Sequence, residues 1–128
     1  MKKILIFLIL GGILWSCNTP GHTSKVTTSK ISKADTSEYE ITIIDPEFDF
    51  WYAVNFSPAK DYANRYYRSQ NQVAVSNWND YYRRNKYRRV IENDISYDNS
   101  VDYGIDVNRK LFWYFKFIEE KYHVRVLM

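Results

Sequence analysis

Between Asp106 and Tyr122 the residues Val107, Leu111, Tyr114, Phe115, Ile118 and Tyr122 recur at the spacing of one helical face. Phe112, Trp113 and Phe117 widen that face beyond a single stripe, so the helix needs more than one neighbour, while Lys110, Lys116, Glu119, Glu120 and Lys121 are left for water. A chain that carries such a segment must bury it. A domain of under a hundred residues buries only about 60 to 65% of its unfolded surface, so this stretch is read as the core helix that the rest is arranged around. Asp106 is its expected N-cap, and Gly104 supplies a turn ahead of it.

Every aromatic residue except Phe7 and Trp15 lies between Glu38 and Met128. Side chains of that type bury on the order of 150 to 250 Å² each, which makes 38–128 one small, aromatic-cored domain. Within it, Tyr39, Ile41 and Ile43 alternate with Glu40 and Thr42, the period of a strand with one wet face. Asp45-Pro46 ends that strand. Phe48–Val54 is rich in aromatic residues, and its periodicity does not decide between a second strand and an irregular segment laid over the core. Ser57-Pro58 has the form of an N-cap followed by proline at the first helical position. Tyr62, Tyr66, Ser69 and Val73 follow at helical spacing, then Val75, Trp78, Tyr81 and Tyr82 after a polar break at 69–72, so one long helix and two shorter ones both fit. Residues 88–104 read as a connection pinned by Val90, Ile91, Ile95, Tyr97 and Val101. At the far end Val124 and Val126 alternate with Arg125 as a short strand. The expected fold class is α+β: a small single domain with two or three helices packed on a short antiparallel sheet formed by N- and C-terminal strands, 39–44 beside 124–127.

The first residues have a different character. Lys2 and Lys3 precede an apolar run from Ile4 to Leu14 that is short for a bilayer span, and Cys17, the one cysteine of the chain, follows directly. That order resembles a bacterial lipoprotein signal, in which the cysteine is acylated and becomes the first residue. Residues 1–16 are then the signal peptide and 17–37 the lipidated cysteine with a flexible tether, rich in Ser, Thr and Lys. Without Lys2 and Lys3 the formal charge of +3 falls to +1, so overall charge gives no reason to expect a nucleic-acid partner. A single cysteine also excludes an intramolecular disulfide.

The segments Ile44–Trp51, Trp78-Asn79 and Asp102–Asn108 ahead of an aromatic helix, all behind such a leader, resemble an uncharacterised family of short Bacteroidota lipoproteins. The resemblance covers about 39–126. It implies an envelope location and one folded unit, and carries no activity with it. Glu47 and His123 stand where the family pattern has glycine.

Four constellations bear on chemistry. Asp45, Glu47 and Asp49 would share one face of an extended segment, as a carboxylate hydrolase or a cation site needs. Asp94, Asp98 and Asp102, with Ser96 and Ser100 between them, place oxygen side chains at alternate positions of a calcium-type loop, but Asn99 replaces its glycine and Ile105 its terminal glutamate. Arg83, Arg84, Arg88 and Arg89, with Lys86 and the tyrosines between them, have the composition of a nucleic-acid or anionic-lipid patch, of which export disfavours the first, and Trp51 and Trp78 that of a sugar-stacking platform. His22 and His123 form neither a metal cluster nor a triad. The residues therefore point to a membrane-anchored envelope protein, facing the periplasm from the outer membrane and acting as an interaction or structural module. Its expected partners are the membrane through acylated Cys17 and an envelope protein or glycan; neither catalysis, cofactor, metal nor nucleic acid is expected. A carboxylate hydrolase and a binder of glycans or anionic lipids are the alternatives.

Overall fold

The computed structural model describes residues 25–33 and 36–128. Strands β1 (Lys25–Lys33) and β2 (Thr36–Ile44) are followed by helix α1 (Phe48–Asn55), a single 3-10 turn at Pro58–Lys60, and helices α2 (Asn64–Arg83) and α3 (Ile105–Tyr122). The described residues thus form a small α+β domain of three α-helices and one two-stranded antiparallel sheet. The expected core helix is there: Val107, Leu111, Phe112, Trp113, Tyr114, Phe115, Phe117 and Ile118 of α3 are all buried. Helix α2 packs against it through Tyr67, Asn71, Ala74, Val75 and Trp78, and the sheet contributes Val26, Ile41 and Ile43 to the same core.

The sheet is not the expected one. β2 pairs with β1, Lys25 lying opposite Ile44 and Lys33 opposite Thr36, so a stretch expected to be tether is a strand and the folded part starts at least as early as Lys25. Val26 is the reason: it is 2% exposed and sits in the main core. The C-terminal alternation is real, with Val124 and Val126 buried and Arg125 exposed, yet residues 123–128 join no ladder. Side chains of the helices take its backbone groups instead. The Glu119 carboxylate accepts from the Val126 and Leu127 N–H groups at 2.8 and 2.7 Å, and Asn77 and Tyr81 donate to the carbonyls of Val126 and Arg125. These four backbone groups are satisfied without a strand partner.

Local chemistry explains the remaining elements. The Asp45 carboxylate accepts the Glu47 N–H at 3.0 Å and its carbonyl accepts the Phe48 N–H, an Asx-type turn that launches α1 where a strand or irregular segment was expected. Helix α2 runs unbroken through the polar 69–72 stretch because Asn71 is buried and its Nδ2 donates to the Asn108 carbonyl of α3 at 2.8 Å. A polar residue there is a cross-link. Gly104, at φ +88°, caps α3, and Asp106 lies in the first turn rather than at the cap. Between α2 and α3, Ile91 and Ile95 pin the connection to the core. Asn93 bonds the Val26 carbonyl and Thr28 bonds the Ser96 carbonyl, so this connection runs beside β1.

Candidate functional site

Helix α1 is amphipathic in an unusual sense, because both of its faces carry large apolar side chains. Phe48 is buried, Trp51 and Tyr52 are half-buried against α3, and Phe50 and Val54 stand outward at 76% and 66% exposure. Phe50 and Val54 are four residues apart and so lie on one side of the helix. Trp51 sits at the centre of two adjoining clefts, with its ring 5.5 Å from Phe117 and 6.1 Å from Trp113. Its indole N–H donates to Glu120 Oε1 at 3.2 Å.

The larger cleft, about 610 Å³, lies between Phe50, Val54 and Pro46 on one side and Phe117 and Lys121 on the other. The ion pair between Lys121 and Glu47 closes one end of it. The second cleft, about 460 Å³, runs from Trp51 over Trp113 to Tyr62, with Lys60, Lys116 and Glu120 at its rim. Lys116 is held over the Phe112 and Trp113 rings at 5.7 and 5.5 Å, a cation–π placement that keeps its ammonium at the edge of the cleft. Asp61 closes the inner end. Its carboxylate is gripped by Arg109 at 2.6 and 2.9 Å and by the Tyr67 hydroxyl at 2.6 Å.

That triad moves every member away from neutrality. The hydrogen bonds from Arg109 and Tyr67 lower the Asp61 carboxyl to about 2, those from Asp61 raise Arg109, and burial raises the Tyr67 and Tyr52 phenols. Burial likewise pushes Tyr122 up to about 12. A general acid or base working near pH 7 needs the reverse. What the arrangement does provide is a fixed floor of rings with charged groups along its rim.

A family model matches residues 4–127. The chain belongs to DUF6146, a family of unknown function. No curated protein and no solved structure matches it. The DUF6146 match takes in the apolar run 4–14 and Cys17 as well as the folded part; Cys17 and His22 lie outside the described residues.

The other candidate residues of this DUF6146 chain fall as follows. Asp45, Glu47 and Asp49 do not share a face, because the segment is a turn entering a helix rather than extended chain. Asp45 is spent on the turn and Glu47 on Lys121, with Asp49 in the first turn of α1. Asp94, Asp98 and Asp102 do not converge either. Asp98 folds onto Ser100, which lowers its pKa, and Asp102 receives the Gly104 N–H and the Asn64 amide. Among the described residues no three His, Cys, Asp or Glu side chains are grouped to hold a metal ion. Trp78 is wholly buried with its N–H on the Asn93 carbonyl, so it cannot stack a sugar. Arg83 and Arg84 both pair with Asp80, and Arg88 and Arg89 are exposed. His123 occupies the left-handed C-cap of α3 at φ 56°, a conformation that glycine adopts without strain; Glu47, at φ −102°, lies outside that region.

Sequence reasoning missed Phe50 and Val54 as surface residues, and missed Trp113, Lys116 and Glu120 as members of a cleft. The signal for the first two was present. If 48–55 is read at helical period, Phe48, Trp51, Tyr52 and Asn55 take one side and Phe50 and Val54 the other.

Proposed function

We infer that this chain is a lipoprotein of the bacterial envelope, of the Bacteroidota type, held in the outer membrane through acylated Cys17. Its domain is an interaction module that receives an envelope protein on the outer face of α1. The observation that carries the reading is the exposure of Phe50 and Val54 beside an apolar cleft; among the described residues only Met128 is a more exposed large apolar side chain. Contiguous apolar surface rimmed by charge is characteristic of a protein contact. The anchor is supported by the leader and its cysteine, and by a family match that begins at residue 4 and so includes them.

Two measurements test the two halves. Replacing Phe50 with a photoreactive phenylalanine should give one discrete cross-linked product in native membranes, whereas the same replacement at Asp94 should give none; equal yields from both positions would end the α1 reading. Cys17→Ala should abolish acylation and processing at that point, and a processed, membrane-bound Cys17→Ala protein would end the anchor reading. A glycan ring stacked on Trp51 is a second reading, favoured by the mixed aromatic and charged rim of the smaller cleft. It requires that soluble peptidoglycan fragments perturb the fluorescence of the parent and not of Trp51→Phe.

A further inference from the structure

Helix α2 ends in a turn that carries the chain from Tyr81 to the buried Ile91 through two residues of unfavourable backbone conformation. Asn85 and Tyr87 both adopt left-handed backbone, φ 55° and 56°. Asparagine tolerates that region, but a bulky residue such as Tyr87 does so rarely. Strain of this kind persists only where the surroundings hold it. Here the Lys86 N–H bonds the Tyr81 carbonyl at 2.9 Å, and the Tyr87 carbonyl accepts the N–H groups of Val90 and Ile91 at 2.8 Å. The Lys86 ammonium then lies 5.0 and 4.9 Å from the Tyr81 and Tyr87 rings, which meet edge to face. The turn is clamped from inside by its own lysine.

The clamp displays arginines. Arg83, Arg84, Arg88 and Arg89 are exposed, with Arg125 close by on the residue whose carbonyl Tyr81 bonds. Asp80 answers Arg83 and Arg84 together, and among the described residues Arg88 and Arg89 have no ion-pair partner. Guanidinium groups are the side chains best matched to phosphate oxygens. Their location matters as much as their charge. Asn93 is bonded to Val26 and Ser96 to Thr28, so 93–96 runs beside 26–28 in the same direction. The residues just before 93 therefore lead toward the end of β1 at which the chain from Cys17 enters. Only seven residues separate Cys17 from Lys25, so the eight steps between them reach at most about 29 Å.

The geometry points to the 83–89 turn as a headgroup contact: it seats the domain on the anionic phospholipid surface of the membrane that holds the anchor. This rests on the anchor reading for which surface lies within reach, and it gives the α1 face a defined orientation to the membrane that the covalent anchor alone would not.

The test is hydrogen exchange of peptides covering 80–92 in the full-length chain, with vesicles of phosphatidylethanolamine alone or mixed with phosphatidylglycerol. Exchange should slow severalfold on the mixed vesicles only, and recover at roughly 0.5 M salt, where screening acts over a few ångströms. The effect should be lost in Arg88→Gln/Arg89→Gln and kept in Arg88→Lys/Arg89→Lys, with melting of both variants unchanged. Replacing all four arginines by glutamine should weaken the contact about a hundredfold, from roughly fivefold per cation near an anionic surface with one discounted for Asp80. Equal exchange on the two vesicle types, or equal slowing of the glutamine variant, overturns the proposal. So does equal slowing by inorganic phosphate, which marks a small-anion site, or by a short DNA duplex, which marks a nucleic-acid patch. Flotation of the same samples on phosphatidylethanolamine vesicles reports the anchor separately, so loss of flotation with anionic-dependent protection intact would count against Cys17 and not against the turn.

Discussion

Arg109 holds the Asp61 carboxylate through two guanidinium nitrogens while Tyr67 donates from the other side, and the consequence for stability has a definite sign. A carboxyl lowered from 3.8 to about 2 in the folded state contributes stability that is complete above about pH 4 and lost as pH falls toward 2. With the side chain 27% exposed, that contribution is about 1–2 kcal/mol. The urea midpoint of the parent should therefore drop between pH 4 and 2 by more than that of Asp61→Asn, and parallel curves would show that the triad is not formed in solution. His123 makes the opposite kind of prediction. A β-carbon at φ 56° is unfavourable and glycine relieves it, so His123→Gly should be neutral to stabilising by up to about 1 kcal/mol in thermal melts. The turn that Gly104 makes ahead of α3 was legible in the sequence. The Asp61 triad was not, because its partners lie 6 and 48 residues away and neither spacing has a local period.

Among the elements, α3 was readable because its apolar period is long and unbroken, and Leu111 is fully buried in it. Leu111→Ala should cost roughly 2–5 kcal/mol in urea unfolding, and a loss under 1 kcal/mol would mean that the core is looser than the structure has it. Strand β1 was missed for a compositional reason: Ser, Thr and Lys dominate 25–33 and also mark linkers, although Val26, Thr27, Thr28 and Ile31 are β-branched and favour strand. The C-terminal segment failed in the other direction. Its alternation told truly which side chains are buried, but alternation cannot show whether the backbone bonds to a strand or, as here, to Glu119, Asn77 and Tyr81. For α1 the difficulty was apolar bulk on both faces, which erases the contrast that periodicity depends on. That bulk is also the surface on which the interaction reading rests.

For the molecule as a whole, the two ends of the fold are tied through the connection between α2 and α3. Trp78 bonds Asn93, Asn93 bonds Val26, Asn79 brackets Ile95 and Thr28 reaches Ser96. β1 is thus paired with β2 and held near its start, at Val26 and Thr28, by residues 93–96. It belongs to the core. The boundary implied by aromatic composition, at Glu38, would cut through this arrangement, uncovering the Ile41 and Ile43 face of β2 and the pocket filled by Val26. Burying a valine is worth about 1.5–3 kcal/mol, and each hydrogen bond lost with it about 0.5–1.5 kcal/mol. A chain beginning at Glu38 should therefore be less stable in urea than one beginning at Ser24 by about 3 kcal/mol or more, while the chain from Ser24 should match the parent. If both truncated chains unfold at the midpoint of the parent, β1 contributes nothing to the fold, and 17–37 is the tether that its composition describes.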